Sequence, residues 1–228
     1  MLDEELNNKT KLKTPIRNLT YLKAYAIDDE NTIERDDAVS LERLSSGNKI
    51  WIHISNPIDR IKHNNLYDDN AFNNGISLYL AEEVRTMLPK DLVKNYLSLD
   101  AGKVRYVLSA GVILSKLGEV LTYEIVQSKV QCTFNLNYED ANELIELAPK
   151  EEEDLYILYK LLKARQDYRL KKGATIYDRT HGKIISENNI PVLRITESTP
   201  SRELVSEAMI LMGTLIGDFA YKNEINLP

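Results

Sequence analysis

Cysteine is almost absent from this 228-residue chain, which has only Cys132. A single cysteine excludes an internal disulfide and suits a reducing compartment, so we interpret Cys132, in a strand-like segment, as a buried apolar filler. No Cys/His cluster has the spacing of a zinc site. Neither a Gly-rich phosphate-binding loop nor a Gly-x-Ser-x-Gly motif occurs, so nucleotide-triphosphate chemistry and serine hydrolysis have no support.

Long apolar runs and excess positive charge are also lacking. No run reaches membrane-spanning length, and residues 1–6 lack the basic-then-apolar order of a signal peptide, so we expect a cytoplasmic protein with no membrane partner. Lys and Arg number 29 against 35 Asp and Glu, a net charge of −6. That deficit argues mildly against nucleic acid, but residues 160–172 are locally basic, so the charge balance alone decides nothing.

The periodicity of the apolar residues predicts one α+β domain after a polar lead-in over residues 1–19. Ser201, which follows Pro200, is the expected N-cap of the last helix. His53, within a strand pattern, is expected to hydrogen-bond in or near the core and to support the acidic segment described below. Strands are predicted at about 20–27, 38–44, 49–54, 104–114, 120–126, 174–177, 183–186 and 191–196, and helices at about 66–72, 138–147, 151–171 and 201–221.

The most informative segment runs from Asp28 to Asp37 and holds six carboxylates in ten residues. It lies between two predicted strands, an arrangement that can gather several carboxylates at one point. Such a cluster repels itself unless a cation neutralises it, and all-oxygen ligands suit Mg²⁺ or Mn²⁺. Composition alone favours a solvated acidic surface loop, because most charge runs are surface. The spacing within the segment has to decide between the two interpretations.

The spacing resembles a known signature. The segment is similar to the acidic motif of the ribonuclease II (RNB) family of processive 3′-to-5′ exoribonucleases, a strand ending Ile-Asp followed by a loop with Asp-x-Asp-Asp. The resemblance covers residues 20–228 and implies part of an RNB catalytic domain, with a mixed, mainly antiparallel β-sheet flanked by helices. Further family motifs are matched in order by residues 51–55 (WIHIS), 75–80 (GISLYL), 87–89 (MLP) and 201–209 (SRELVSEAM).

The resemblance implies a reaction and its residues. Single-stranded RNA would be hydrolysed from the 3′ end to nucleoside 5′-monophosphates, with one or two Mg²⁺ ions, or Mn²⁺, and no nucleotide cofactor. Asp36 is implied to be the acid most tied to activity, whereas Asp29 and Glu30 do not match the motif and are interpreted as solvated loop acids. The implied catalytic and metal-binding residues are Asp28, Glu34, Asp36 and Asp37.

The resemblance also implies RNA contacts. Tyr79 matches the family tyrosine that stacks on a base at the 3′ end, and stacking holds a single strand without reading its sequence. The structural alternative is a strand tyrosine whose ring packs on the core. For a second stack the family uses a Phe, and Tyr177 is the candidate in the corresponding region here.

Two departures from the family pattern affect these expectations. The family usually has Asp where this chain has Glu34, whose extra methylene moves the carboxylate outward. Family members also continue through a second half of the catalytic domain that supplies an active-site arginine, whereas this sequence ends at Pro228, so we expect a domain truncated at its C-terminus. The alternatives are therefore a non-catalytic RNA-binding or assembly module, or a fragment that is inactive without the missing half.

Overall fold

The computed structural model describes residues 15–30, 32–80, 83–176, 181–187 and 190–227. Within them the strands are β1 (Arg17–Asn18), β2 (Ala24–Asp28), β3 (Asp37–Leu44), β4 (Gly47–Ser55), β5 (Leu78–Tyr79), β6 (Val84–Arg85), β7 (Val104–Leu114), β8 (Val120–Asn137), β9 (His181–Glu187) and β10 (Ile190–Thr196). The helices are α1 (Leu66–Asn74), α2 (Lys90–Leu92, continued as a π-helix over Val93–Leu97), α3 (Tyr138–Leu147), α4 (Glu153–Lys171) and α5 (Pro200–Lys222), with 3₁₀ turns at Pro57–Asp59 and Lys150–Glu152.

The long strand β8 organises the main sheet of the described chain. The strand order is β1-β8-β2-β3-β4-β7, and β8 also pairs with β7. Residues 120–131 of β8 pair antiparallel with β7, whereas residues 132–137 pair parallel with β2. The pairings of β8 with β1 and with β2 are parallel, and the other pairings in this sheet are antiparallel. The predicted mixed, mainly antiparallel sheet with flanking helices is therefore confirmed.

The two faces of the sheet carry separate cores because side chains alternate along each strand. On β2, Tyr25 and Ile27 point to the face covered by α3, α4 and α5, where Leu158 and Leu211 are among the buried partners. Ala24 and Ala26 point to the opposite face and pack with Leu19 and Trp51. Residues 15–19, predicted to belong to a polar lead-in, thus contribute β1 and a buried leucine.

A smaller lobe over residues 56–97 packs beside the main sheet. Its own core consists of Leu88, Leu92, Val93 and Leu97, and α1 buries no residue completely. Side chains of the sheet donate hydrogen bonds to its backbone: Ser55 Oγ donates to the Leu97 carbonyl at 3.0 Å, and Arg105 Nη2 donates to the Lys94 carbonyl at 3.1 Å. The lobe carries the hairpin β5–β6, in which Tyr79 pairs with Val84.

Most predicted elements are present, with three corrections. The first predicted strand begins too early, because residues 19–22 form a turn that buries Leu19 and Leu22, so β2 begins only at Ala24. The strand predicted over 120–126 continues to Asn137, since one half of it serves β7 and the other half β2. No strand occupies 174–176; Tyr177, the last residue of that prediction, lies outside the described residues.

The predicted N-cap of the last helix is also wrong. Thr199 is the N-cap of α5, and Ser201 lies buried in the first turn. The backbone N–H of Ser201 donates to Asn142 Oδ1 at 2.9 Å, and its hydroxyl donates to the Tyr138 carbonyl at 2.9 Å. Ser201 therefore docks the start of α5 onto α3 instead of capping the helix.

Helix α5 is long and apolar enough to cross a membrane by length and composition, although no apolar run was expected to reach that length. One face of the helix, including Leu204, Leu211 and Leu215, belongs to the core against the sheet. Glu207 on the same helix is 2% exposed and forms a 2.6 Å ion pair with Arg169. The core helices of globular proteins are often equally long and apolar, and the buried face of α5 makes it a core helix here.

The turn between β7 and β8 generates a stability prediction. Gly118 has φ +85°, and a Cβ there would overlap the Ala164 carbonyl of α4, whereas Gly102 has φ +78° and open space around it. Gly102→Ala should cost about 1–2 kcal/mol through backbone strain alone. Gly118→Ala should cost about 1–3 kcal/mol more, because the hairpin must also move off α4. Urea denaturation midpoints of the two variants check this; equal losses would contradict it.

Candidate active site

Strand pairing brings the two ends of the acidic segment together. Strands β2 and β3 are antiparallel neighbours; β2 ends at Asp28 and β3 begins at Asp37, so both residues lie at the same edge of the sheet. The backbone N–H of Ser55 donates to the Asp36 carbonyl at 2.8 Å and ties the loop to β4. On the other side, Asp28 is paired with Asn137 at the end of β8.

The acidic segment forms one wall of an open cleft of about 310 Å³. The four acids predicted from the sequence and the predicted stacking tyrosine all line it, although they come from two parts of the chain separated by more than forty residues. The full set of lining residues is Asp28, Asp29, Thr32, Glu34, Asp36, Asp37 and Tyr79.

Three of these carboxyls hold protons more tightly than usual. Burial, followed by the negative charge of Asp37, raises the pKa of Asp28 to about 7. Burial, followed by the charge of Asp36, raises the pKa of Asp37 to about 6. The pKa of Asp36 is raised by burial of its carboxyl and by the charge of Glu34, although the residue as a whole is exposed. The cleft therefore holds several partly desolvated like charges without enough positive charge nearby to balance them.

Glu34 and Tyr79 meet across the cleft. Ser77 Oγ donates to Glu34 Oε2 at 2.7 Å, and the Tyr79 hydroxyl lies 3.4 Å from the same oxygen. Tyr79 is 53% exposed, so its ring is not packed into a core as the structural alternative required. Burial of its hydroxyl and the charge of Glu34 raise the pKa of Tyr79 to about 12. Tyr177, the second predicted RNA contact, lies outside the described residues.

Sequence reasoning missed a second anchor of the acidic segment. Asp29, interpreted there as a solvated loop acid, lines the cleft and forms a 2.9 Å ion pair with Arg202 of α5. The Arg202 guanidinium also stacks on the ring of Tyr138, 3.8 Å from its centroid. No spacing in the sequence links Asp29 to a residue 173 positions away. The only available signal was that Arg202 falls within one of the matched motifs.

His53 hydrogen-bonds within the core of the sheet, as expected, whereas its support of the acidic segment stays a prediction. It is fully buried, and its ring nitrogens are hydrogen-bonded to Ser40 at 2.9 Å and Ser109 at 2.7 Å. Burial lowers the pKa of His53 to about 3, so the ring is neutral. Cys132 is buried as well, and burial raises the pKa of its thiol to about 12, which fits the predicted role as an inert filler.

The donor chemistry of the cleft fits a hard divalent cation. Among the described residues no three His, Cys, Asp or Glu side chains are gathered closely enough to hold a metal ion unaided. Mg²⁺ does not require such a cage, because it keeps several waters and takes one or two carboxylates plus substrate phosphates. Carboxylate oxygens with raised pKa values are the groups that such a cation would stabilise in their charged form.

Comparisons with known proteins agree on one family. The RNB domain family model matches residues 16–228. An uncharacterized ribonuclease of Synechocystis is 35% identical over 213 residues, which cover 92% of this chain and 32% of that protein. The chloroplastic/mitochondrial ribonuclease II of Arabidopsis thaliana is 33% identical over 217 residues, covering 92% of this chain and 27% of that protein. The chain thus spans about a third or less of these curated relatives.

Solved structures share the fold. Mycoplasma genitalium RNase R in complex with ribose methylated single-stranded RNA matches 97% of this chain and 37% of that one, with a TM-score of 0.85 and 18% identity. Yeast Ssd1, a pseudonuclease, matches 93% of this chain and 27% of that one, with a TM-score of 0.75 and 15% identity. At such identities the likeness concerns the fold alone.

The charge repulsion in the cleft predicts a pH-dependent gain in stability for Asp28→Asn. A folded-state pKa near 7 means that the ionised carboxyl destabilises the folded state; its favourable contribution is complete below about pH 4 and is lost as the pH rises through 7. In EDTA at pH 8, Asp28→Asn should stabilise the protein by about 1 kcal/mol, a figure discounted for solvent screening. This corresponds to about 2–4 °C in Tm.

The gain should shrink towards zero as the pH falls to 4, where the wild-type carboxyl is itself protonated. Asp29→Asn is the matched control, because that neighbouring acid already has Arg202 as partner and its neutralisation removes an ion pair. Thermal unfolding followed by circular dichroism measures both variants. An Asp28→Asn protein no more stable than wild type at pH 8 would show that the cleft is not under electrostatic strain.

Proposed function

This chain belongs to the RNB family, and from that premise we propose that it is the metal-binding and RNA-binding part of a hydrolytic 3′-to-5′ exoribonuclease. The proposed substrate is single-stranded RNA and the proposed products are nucleoside 5′-monophosphates. The observation that carries the proposal is the cleft in which Asp28, Asp36 and Asp37 face the same space as Tyr79. Carboxylates can hold a cation that assists phosphodiester hydrolysis, and an exposed aromatic ring can stack on a base of single-stranded RNA.

The three aspartates are positioned by different elements. Asp28 is held by pairing with Asn137 of β8 and Asp37 by pairing with Ile54 of β4, so the sheet fixes the backbone position of both. Asp36 extends from the loop, with its own carbonyl bonded to Ser55. Together they would bind Mg²⁺, or Mn²⁺. When bound, such an ion would lower the pKa of the attacking water and neutralise charge developing on the phosphate. Glu34 lines the same cleft with its carboxylate bonded to Ser77.

Tyr79 is proposed to hold the terminal nucleotide. Its half-exposed ring stands at the mouth of the acidic cleft, so a base stacked on it would place the adjacent phosphodiester near the aspartates. Stacking is insensitive to base identity, which suits a substrate of any sequence. The proposed hydrolysis uses no nucleotide cofactor. The buried lone thiol, Cys132, agrees with the reducing cytoplasm that we propose as its compartment.

A second function, a non-catalytic RNA-binding or assembly module, is favoured by one observation. Within the described chain no three potential ligands already form a metal-binding group, so a cation would depend on groups supplied by RNA or by another polypeptide segment. The acids would then contribute to architecture while Tyr79 still bound RNA. The two functions differ in whether bound RNA is cut.

A cleavage assay separates these functions. The chain is incubated with 5′-labelled single-stranded RNA in Mg²⁺ and, in parallel, in EDTA. The exonuclease proposal predicts a ladder ending in a very short 5′ remnant, lost in EDTA and reduced by more than about 100-fold in Asp36→Asn, because removal of one charged group at the site of phosphoryl chemistry typically costs that much. Asp91→Asn, a change at an exposed acid of α2, is the matched control and should leave the ladder intact.

Retention of RNA without cleavage by the wild-type chain would refute catalysis by this chain and leave the binding module. A ladder that persists unchanged in Asp36→Asn would place the activity elsewhere or in a contaminant. Failure both to bind and to cut RNA would contradict both functions.

Tyr79→Ala tests the stacking role separately from cleavage. Loss of one stacked base should weaken binding of a short single-stranded RNA by about tenfold, since such stacks contribute about 1–3 kcal/mol each. Tyr221→Ala is the control, because Tyr221 is 86% exposed at the end of α5, far along the chain from the cleft residues. Fluorescence anisotropy in EDTA measures both variants without interference from cleavage. Equal affinities of the two variants would exclude Tyr79 from the binding site.

A further inference from the structure

Glu34 differs from Asp28, Asp36 and Asp37 in its contacts. Its Oε2 accepts a 2.7 Å hydrogen bond from the Ser77 hydroxyl, and the Tyr79 hydroxyl lies 3.4 Å from the same atom. The shorter contact is a charge-assisted bond of ordinary length, whereas the longer one is weak. Both donors belong to the lobe over residues 56–97. The apolar core of that lobe includes no residue of the acidic segment.

The two donors reach Glu34 because of strand geometry. Tyr79 is two residues after Ser77, and residues two apart in an extended chain point to the same side. Ser77 is itself fixed, since its Oγ accepts a 2.8 Å hydrogen bond from the backbone N–H of Met87. A continuous path of hydrogen bonds therefore runs from the lobe backbone at Met87 through Ser77 to the Glu34 carboxylate.

We infer that Glu34 is a positioning residue for Tyr79 and its lobe, and not a direct ligand of the cation in the cleft. This inference rests on the proposed function, in which Tyr79 stacks on RNA. It adds that a residue of the acidic segment holds the ring of Tyr79 in position. Glu34 holds Ser77 in place through the stronger hydrogen bond and restricts the orientation of the Tyr79 ring through the weaker one. The cation site is then left to Asp28, Asp36 and Asp37.

The length of the side chain explains why this chain has Glu where the family pattern has Asp. An aspartate at position 34 would have its carboxylate one methylene, roughly 1.5 Å, closer to its own backbone, given ordinary carbon–carbon bond lengths. The Ser77 contact, at 2.7 Å, would then exceed hydrogen-bonding distance unless the lobe moved. Glu34 thus spans the gap between the acidic segment and the lobe, which a shorter acid cannot span.

Fluorine NMR tests the contact directly. All 13 tyrosines are replaced by 3-fluorotyrosine, and the Tyr79 resonance is assigned by its loss in Tyr79→Phe. Glu34→Asp keeps the charge but should shift the Tyr79 resonance, because the ring loses its support. Glu42→Asp is the matched control: Glu42 accepts a 2.7 Å hydrogen bond from Tyr21, so that change should move the Tyr21 resonance and leave that of Tyr79 unchanged.

Titration with Mg²⁺ alone tests whether Glu34 leaves Tyr79 to bind the cation. If Glu34 keeps its contact with Tyr79, adding Mg²⁺ to the wild-type chain should not shift the Tyr79 resonance to the frequency that it has in the Glu34→Asp variant. Calorimetry should give Glu34→Asp a Kd for Mg²⁺ no higher than wild type, whereas Asp37→Asn should raise the Kd by about tenfold or more, the loss typical of groups that bind or orient a metal.

Two results would overturn the inference: an unchanged Tyr79 resonance in Glu34→Asp, or a rise in its Kd for Mg²⁺ that matches Asp37→Asn. Movement of the wild-type Tyr79 resonance to the Glu34→Asp position on adding Mg²⁺ would do so as well. A wild-type chain that binds no Mg²⁺ would instead refute the proposed metal site, while the resonance shift of Glu34→Asp would still decide the role of Glu34.

Discussion

Mutual repulsion among the carboxylates of the cleft is the constraint around which the rest of the structure is arranged. Asp28 and Asp37 line the same cleft because they lie at the adjoining ends of neighbouring strands, where Asp28 is paired with β8 and Asp37 with β4. Burial, and then the charge of a neighbouring aspartate, raises the pKa of both carboxyls, so their ionised forms are disfavoured in the absence of a cation. The charge of Arg35, within the same acidic segment, lowers the pKa of Asp28 and offsets part of that effect.

The cleft is also where separate parts of the chain are joined. Glu34 reaches the small lobe through Ser77, and Asp29 reaches α5 through Arg202, so acids of one short segment bond to structures on both sides. An acidic loop on an ordinary surface would instead be solvated along its length. These contacts give the segment a defined shape, which a binding site for a small cation and an RNA end requires.

Fold and function are separate properties among the solved structures that share this architecture. The same architecture is found in an RNase R bound to single-stranded RNA and in a pseudonuclease, both below 20% identity to this chain. A similar fold therefore does not decide whether a protein cleaves RNA, which depends on individual side chains. Here the aspartates at the strand ends and the half-exposed Tyr79 favour an exonuclease, whereas the loosely gathered ligand set leaves room for a binding role.

The sequence by itself determined most of the elements, the family and the acids, because hydrophobic periodicity, turn residues and motif spacing are local properties of the chain. The α+β class, the strands near 38–44 and 49–54, and the set Asp28, Glu34, Asp36 and Asp37 follow from such patterns. Only the tertiary structure showed that β8 serves two partners, that Arg202 holds Asp29 and that Glu34 contacts Ser77 and Tyr79. These contacts join residues far apart along the chain, and which distant groups meet depends on packing, which spacing alone does not encode.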